Sequence, residues 1–420
     1  MKSTKHARRS HFLRNICSDS GVCIAFGIEN KKIGLFFNNF TAFDYLVSPI
    51  KSIGAVSANG FVKELNYQHQ KYTASAILKS SQNPSADNLY YEYFVGQKVN
   101  EWTKYFPCFV ESYGLYMYTS PTAYEFVKDN ATITDMNTFK NSIQLFDQAI
   151  NHDPAQGYRI CTESQYLAVL IQHIKNARTM HSVFGTPQKK PQQLDDCLSA
   201  LAQIYLPLAR LTNDFVHNDL HANNVMLYEP SPGKYIHFFY HLLDGTTVIE
   251  FKSNYIAKMI DYGRSFTTNS ITLYQVLCAE KKCNPNCGAR YGFPWMNPSL
   301  TEQTFYTSST ARNPSQDLRL LKSMYPKSNI VFNQGFTNPN KAHYGTEPNM
   351  AMGYPNRINN VSDAALDLQT YMQQADVQDY FRTAPQFHKD KKFGDLHVYM
   401  DMTKPMKFTL AYASSNYTNV

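Results

Sequence analysis

Hydrophobic positions fall into two regimes along the chain. From about residue 22 to 64, short apolar runs are broken by Asn, Gly and Ser, the pattern of strands joined by turns. Val62 and the run from Tyr72 to Lys79 continue it. The period then changes over Ser85–Trp102, where Leu89, Glu92, Gly96 and Val99 recur at spacings of three and four and mark one face of a helix. Asn83-Pro84-Ser85 is its start signal. Phe109–Tyr118 is aromatic and alternating, and Tyr166–Ile174 is a second apolar stretch, so both predict strands. Between them, residues 119–160 are polar with no strong period and read as an insertion.

The second half is more helical. In Pro191–Leu211, Leu194, Leu198, Leu201, Tyr205 and Leu208 keep helical spacing, and Pro207 is expected to kink that helix or end it early. Short strands are expected near Val225–Tyr228, Tyr235–Tyr240, Thr247–Phe251 and Tyr255–Ile260, and helices at Ser315–Met324 and Ser362–Gln374. The organisation expected is a flexible tail over 1–20, a strand-rich unit over 21–174, a helix-rich core over 175–325 and an extension over 326–420. The joint falls near 172–178, a second insertion near 229–254, and the fold class is α+β.

Composition narrows this picture. The 420 residues exceed one typical compact unit. With 43% hydrophobic and 17% charged residues, general disorder is excluded. No apolar run approaches the ~20 residues of a membrane span, and Met1–Ser10 is basic and polar with no apolar segment behind it. The expectation is a cytoplasmic chain with no membrane partner. The net charge is +7, but Lys2, Lys5, Arg8, Arg9 and Arg14 lie in the tail, so the excess reads as solvated and no specific nucleic-acid partner is expected. The eight cysteines read as reduced thiols. Cys278, Cys283 and Cys287 cluster, but a structural zinc site wants four ligands and no fourth is evident nearby.

Chemistry is written most strongly in Phe215-Val216-His217-Asn218-Asp219-Leu220-His221-Ala222-Asn223-Asn224-Val225-Met226, a polar loop between a helix end and an apolar strand. Met259-Ile260-Asp261-Tyr262-Gly263 follows, again an acid at the end of an apolar strand. Phosphoryl transfer needs this layout: one carboxylate for the acceptor hydroxyl, and an amide oxygen with a second carboxylate to hold magnesium on the phosphates. A capped loop and a turn aspartate would be the plain alternative.

The ordered pair of motifs resembles the protein kinase-like superfamily. His217-x-Asp219-x4-Asn224 is similar to its catalytic loop, and Asp261-Tyr262-Gly263 to its metal-binding motif, with Tyr in the Phe place. The resemblance covers roughly residues 50–325. It implies a two-lobed α+β kinase fold, with a small β-rich N-terminal lobe and a larger helical C-terminal lobe. It implies ATP and Mg2+ as cofactors and the Ser or Thr hydroxyl of a protein as acceptor. Asp219 would be the catalytic base, and Asn224 and Asp261 the magnesium ligands. Lys79, closing Ala76-Ile77-Leu78-Lys79, would hold the nucleotide phosphates, with Glu92 on the inward helix face as its partner. The Gly-rich loop is degenerate: Gly60 and Val62 stand in register with the end of the pattern, and Ser57 replaces its central glycine. Gln172–Arg178 looks like the hinge for adenine, and Pro191–Leu211 like the helix leading into the loop. Ala58-Asn59-Gly60-Phe61-Val62, Phe106-Pro107-Cys108-Phe109-Val110-Glu111 and His217-Asn218-Asp219-Leu220-His221 resemble the serine/threonine kinases of large DNA viruses.

Several residues depart from that pattern. Asn218 stands where regulated protein kinases often carry Arg, which implies activity without loop phosphorylation, and no Ala-Pro-Glu follows Gly263. His221 stands where Lys is usual, and its imidazole either touches the transferred phosphate or packs. His-Asn-Asp-Leu-His is also similar to the loop of aminoglycoside and choline kinases, so a small-molecule kinase is one alternative. A catalytically silent scaffold is the other. His217 reads as structural, holding the loop against Asp261-Tyr262-Gly263. Asp317 reads as a helix N-terminal charge complementing the dipole, with buried support of the loop as its alternative.

Overall fold

The computed structural model describes residues 29–54, 60–81, 89–146, 164–185, 191–268, 293–296, 304–307, 312–324, 358–383 and 391–410. The chain is mixed α+β. Helix α1 (Glu29–Phe36) precedes strands β1 (Leu46–Ser52), β2 (Gly60–His69) and β3 (Tyr72–Ser81), and α2 (Leu89–Asn100) follows. Then come β4 (Ser112–Tyr118), α3 (Pro121–Asp129), β5 (Thr132–Ile133), α4 (Met136–Ser142), β6 (Ile143–Leu145) and β7 (Leu167–Gln172). These strands form one seven-stranded sheet in the order β5-β1-β2-β3-β7-β4-β6, antiparallel throughout.

Both faces of the sheet are covered, which explains why β7 is apolar without alternation. Leu115 and Met117 of β4 and Leu167 and Val169 of β7 join one cluster with Leu89, Val95 and Val99 of α2. Their neighbours Tyr116, Tyr118, Ala168 and Leu170 join a second cluster on the opposite face, with Phe37, Phe40, Phe61, Tyr124 and Phe139. Gly96 sets how closely α2 sits on β4. A Cβ there would lie 2.0 Å from Ser112 Oγ and 2.6 Å from Ser112 Cβ, and the second atom cannot rotate away. Gly96→Ala is expected to lower stability by about 1–3 kcal/mol through overpacking. A denaturant midpoint that falls with unchanged slope is the expected readout. An unchanged midpoint would contradict this packing.

Part of the stretch 119–160, expected as an aperiodic insertion, is built into the sheet. Its helices are short, so each offers little period to detect, but their caps are chemical. Ser120 accepts from Ala123 N with Pro121 in the first turn of α3, and Asp135 accepts from Asn137 N and Thr138 N at the start of α4. Tyr124 and Val127 bury one face of α3. The remainder of that stretch, from residue 147, lies outside the described residues.

Beyond β7 come β8 (Arg178–Thr179), α5 (Met180–Phe184) and α6 (Pro191–Arg210). Next are β9 (Phe215–Val216), β10 (Val225–Tyr228), β11 (Tyr235–His241), β12 (Val248–Ser253), β13 (Ile256–Met259) and β14 (Phe266–Thr267). Strands β15 (Phe293–Met296) and β16 (Thr304–Thr307) form a separate pair. Last come α7 (Arg319–Ser323), α8 (Val361–Met372), α9 (Ala375–Thr383), β17 (Lys392–Tyr399) and β18 (Lys407–Leu410). α6 does not end early: it runs through Pro207 to Arg210. Tyr205, Leu206 and Leu208 are buried around the proline, so packing holds the last turn despite the missing N–H. The helix expected at Ser315–Met324 is a 3-10 turn, Gln316–Leu318, followed by α7.

The second half also holds a four-stranded sheet, β12-β11-β17-β18, in which β11 and β17 run parallel. It joins the expected insertion 229–254 to the extension 326–420. Ile236, Phe238 and Tyr240 of β11 and Leu396 and Val398 of β17 point into the same core as α2 and α6. Among the described residues no helix is long and apolar enough to cross a membrane. Cys108 and Cys197 are buried and in no disulfide, while Cys278, Cys283 and Cys287 lie outside the described residues.

Candidate active site

Two short ladders bring the sequence motifs side by side. Val216 pairs with Phe266 between β9 and β14, and Val225 pairs with Met259 between β10 and β13. Ile260 N donates to Asn224 O at 3.0 Å, which sets Asn224 against the residue before Asp261. Asn224 Nδ2 donates to Asp219 O at 3.0 Å and so closes the loop. Asn218 at φ 65° and Asp261 at φ 70° lie in the left-handed region, where a non-glycine residue costs on the order of 1–3 kcal/mol. The side chain of Asn218 donates to Arg264 O at 2.9 Å. Asn is among the residues that tolerate this backbone best.

His217 holds this arrangement, as expected. Its ring Nε2 lies 2.9 Å from Ile260 O, and Ser265 Oγ donates to its carbonyl at 3.1 Å. The Tyr262 ring packs edge-on against Phe215 and His217, and its buried hydroxyl accepts from Val110 N and donates to Met259 O. Tyr91 of α2 donates to Ser265 O. The helix, the acid motif and the loop are thereby tied together.

Lys79 crosses between the elements. Its Nζ lies 2.7 Å from Glu92 Oε2 on α2 and 2.8 Å from Asp261 Oδ1. Glu92 is 2% exposed, so removing Lys79 would take an ammonium away from a buried carboxylate. Burial pushes the Asp261 carboxyl up, but the Lys79 ammonium and its hydrogen bond outweigh this and hold it below the usual range. Val62 lies opposite Lys79 in the β2–β3 register and therefore shares its face of the sheet. Gly60 begins β2 where a Cβ would meet Ser80 O at 2.1 Å, so glycine is required by close approach. Ser57 lies outside the described residues.

Asp219 is nearly buried and meets Arg319 of α7, whose Nη1 is 2.6 Å from its Oδ1. His221 Nε2 is 3.7 Å from the same oxygen, and burial lowers the imidazole pKa. The reading of Asp317 as a helix-end charge is corrected: it is 1% exposed and both its oxygens serve the loop. Oδ2 accepts from His217 N at 2.8 Å and Oδ1 from Asn218 N at 2.9 Å. Burial pushes its carboxyl up to about 6. The sequence reading missed Arg319 and Tyr91 altogether. Arg319 meets Asp219 across 100 residues, and no local pattern marks it.

The donor set suits a hard cation. Asn224 donates through Nδ2, which leaves Oδ1 as the acceptor, and Asp261 gives Oδ1 to Lys79 and keeps a second oxygen. No cluster of three or more His, Cys, Asp or Glu side chains fit to hold a metal occurs among the described residues. An amide and one carboxylate are a partial set, of the kind Mg2+ completes with phosphate oxygens and water. No protein-family model matches this chain, and no curated protein matches it.

Proposed function

We propose that the protein is an ATP-dependent phosphotransferase of the protein kinase-like superfamily, moving the γ-phosphate to a Ser or Thr hydroxyl of a protein. One observation carries the reading: Lys79 pairs with Glu92 and, across 182 residues, with Asp261, beside the loop that holds Asp219 and Asn224. Five chemically apt side chains from four segments converge, and a scaffold has no need of all five. In this reading the seven-stranded sheet with α2 is the nucleotide lobe, joined through 172–178 to the catalytic core.

The chemistry then follows from the residues. Asp219 accepts the proton of the acceptor hydroxyl as its oxygen bonds to the γ-phosphorus and the bond to the ADP oxygen breaks. Lys79 holds the phosphates, and Glu92 fixes Lys79. Asn224 and Asp261 would hold Mg2+, which supplies charge neutralisation on the phosphates when bound.

The test is label transfer from γ-labelled ATP with Mg2+, using the full chain and generic Ser/Thr protein acceptors. Label on protein that disappears on chelation of Mg2+ is the expected result. Label found only on small hydroxyl compounds would move the reading to a small-molecule kinase. No transfer to any acceptor would reject it in favour of a silent scaffold.

A further inference from the structure

One short segment, Asp317 to Arg319, engages the loop at His217, Asn218 and Asp219. Asp317 holds the backbone of the loop, and Arg319, two residues on, holds the carboxylate of Asp219. The Arg319 and Asp219 side chains are 16% and 13% exposed, so the pair is shielded from water and salt. Phosphoryl transfer at Asp219 requires a fixed positive charge beside the moving phosphate. His221 was the sequence candidate for that contact. Its surroundings argue otherwise: Nδ1 lies 3.2 Å from Asn223 N as the acceptor of that N–H. Burial lowers the imidazole pKa, opposed by Asp219 and Asp261 and reinforced by Arg319 and His217. A guanidinium stays charged at every working pH, and its planar fork can serve two oxygens at once. Arg264 and Asp317 also face Arg319 electrostatically.

We propose that Arg319 is the permanent cation of the transfer site, orienting Asp219 and neutralising the transferring phosphate. This rests on the phosphotransferase reading above. A base bound to a guanidinium remains competent because the fork shifts part of its hydrogen bonding to the phosphate as charge develops there.

The experiment compares wild type, Arg319→Gln and Arg319→Lys in steady-state label transfer at neutral pH, with melting temperature measured for each. For Arg319→Gln, kcat is expected to fall about 10²–10³-fold, the scale of one lost charge-stabilising donor, with the KM for ATP within about threefold. Arg319→Lys keeps the charge but loses the fork, and its kcat is expected about tenfold below wild type. If Arg319→Gln does not fold, Arg319→Met, which keeps the stem and loses the charge, decides: a folded variant with unchanged kcat overturns the proposal. Wild type that transfers to nothing would instead defeat the underlying reading, whereas an active wild type with fully active Arg319→Gln defeats this inference alone.

Discussion

Asp219→Asn is expected to lower the rate of phosphate transfer about 10³-fold while leaving ADP affinity within about threefold. The magnitude is that of a lost general base, about 10²–10⁴-fold. Asn has nearly the same shape, and its oxygen can still accept from Arg319, so the loop keeps its path through Asn224 Nδ2 and the Asp219 carbonyl. The guanidinium loses its counter-charge, a cost of roughly 1–3 kcal/mol for a charged group left poorly paired. That cost is too small to account for a thousandfold loss of rate in a folded enzyme. Label transfer and calorimetric titration with ADP separate the two effects, because Lys79, Glu92 and Asp261 are untouched. Transfer within tenfold of wild type would remove Asp219 from the role of base.

Asp317→Ala is expected to have the largest effect on the fold of the site. It orphans the N–H groups of His217 and Asn218, both fully buried residues, at about 1–3 kcal/mol each. The loop would then leave its place and transfer would be lost together with stability. Asp317→Asn supplies one acceptor for two donors and isolates the charge. The folded-state carboxyl titrates at about 6 against a free value of 3.8. Between those values the folded chain holds a proton that the unfolded chain has released. The contribution of Asp317 to stability is thus full below about pH 4, falls as pH rises towards 6, and is level above, a change on the order of 2–3 kcal/mol. The difference in denaturant midpoint between wild type and Asp317→Asn, followed from pH 4 to 8, is the measurement. A difference that does not vary with pH would show that Asp317 is ionised throughout.

What could be read in advance depended on how local its cause was. Lys79 ends an alternating strand and Glu92 lies on the inward face of a helix thirteen residues later, so their pairing was visible as a charge needing a partner. Asp219, Asn224 and Asp261 sit at strand and loop junctions, which apolar runs reveal. Pro207 misled because propensity is a local quantity, while the turn it occupies is held by burial from outside the helix. The capping signals Ser120-Pro121 and Asp135 were present but unused, since α3 and α4 are too short to announce themselves by period.

The amino-acid order by itself determined the strand and helix faces, the order of the motifs and the kind of chemistry they suit, because side-chain period and backbone-specific residues act within a few positions. Only the tertiary structure decided the rest. It placed Asp317 under the loop, set Arg319 on Asp219, and paired β11 with β17 across more than 150 residues. Those contacts arise from closing the whole chain around one core. A buried carboxylate is satisfied by whichever donors the fold delivers, and nothing in its own neighbourhood names them.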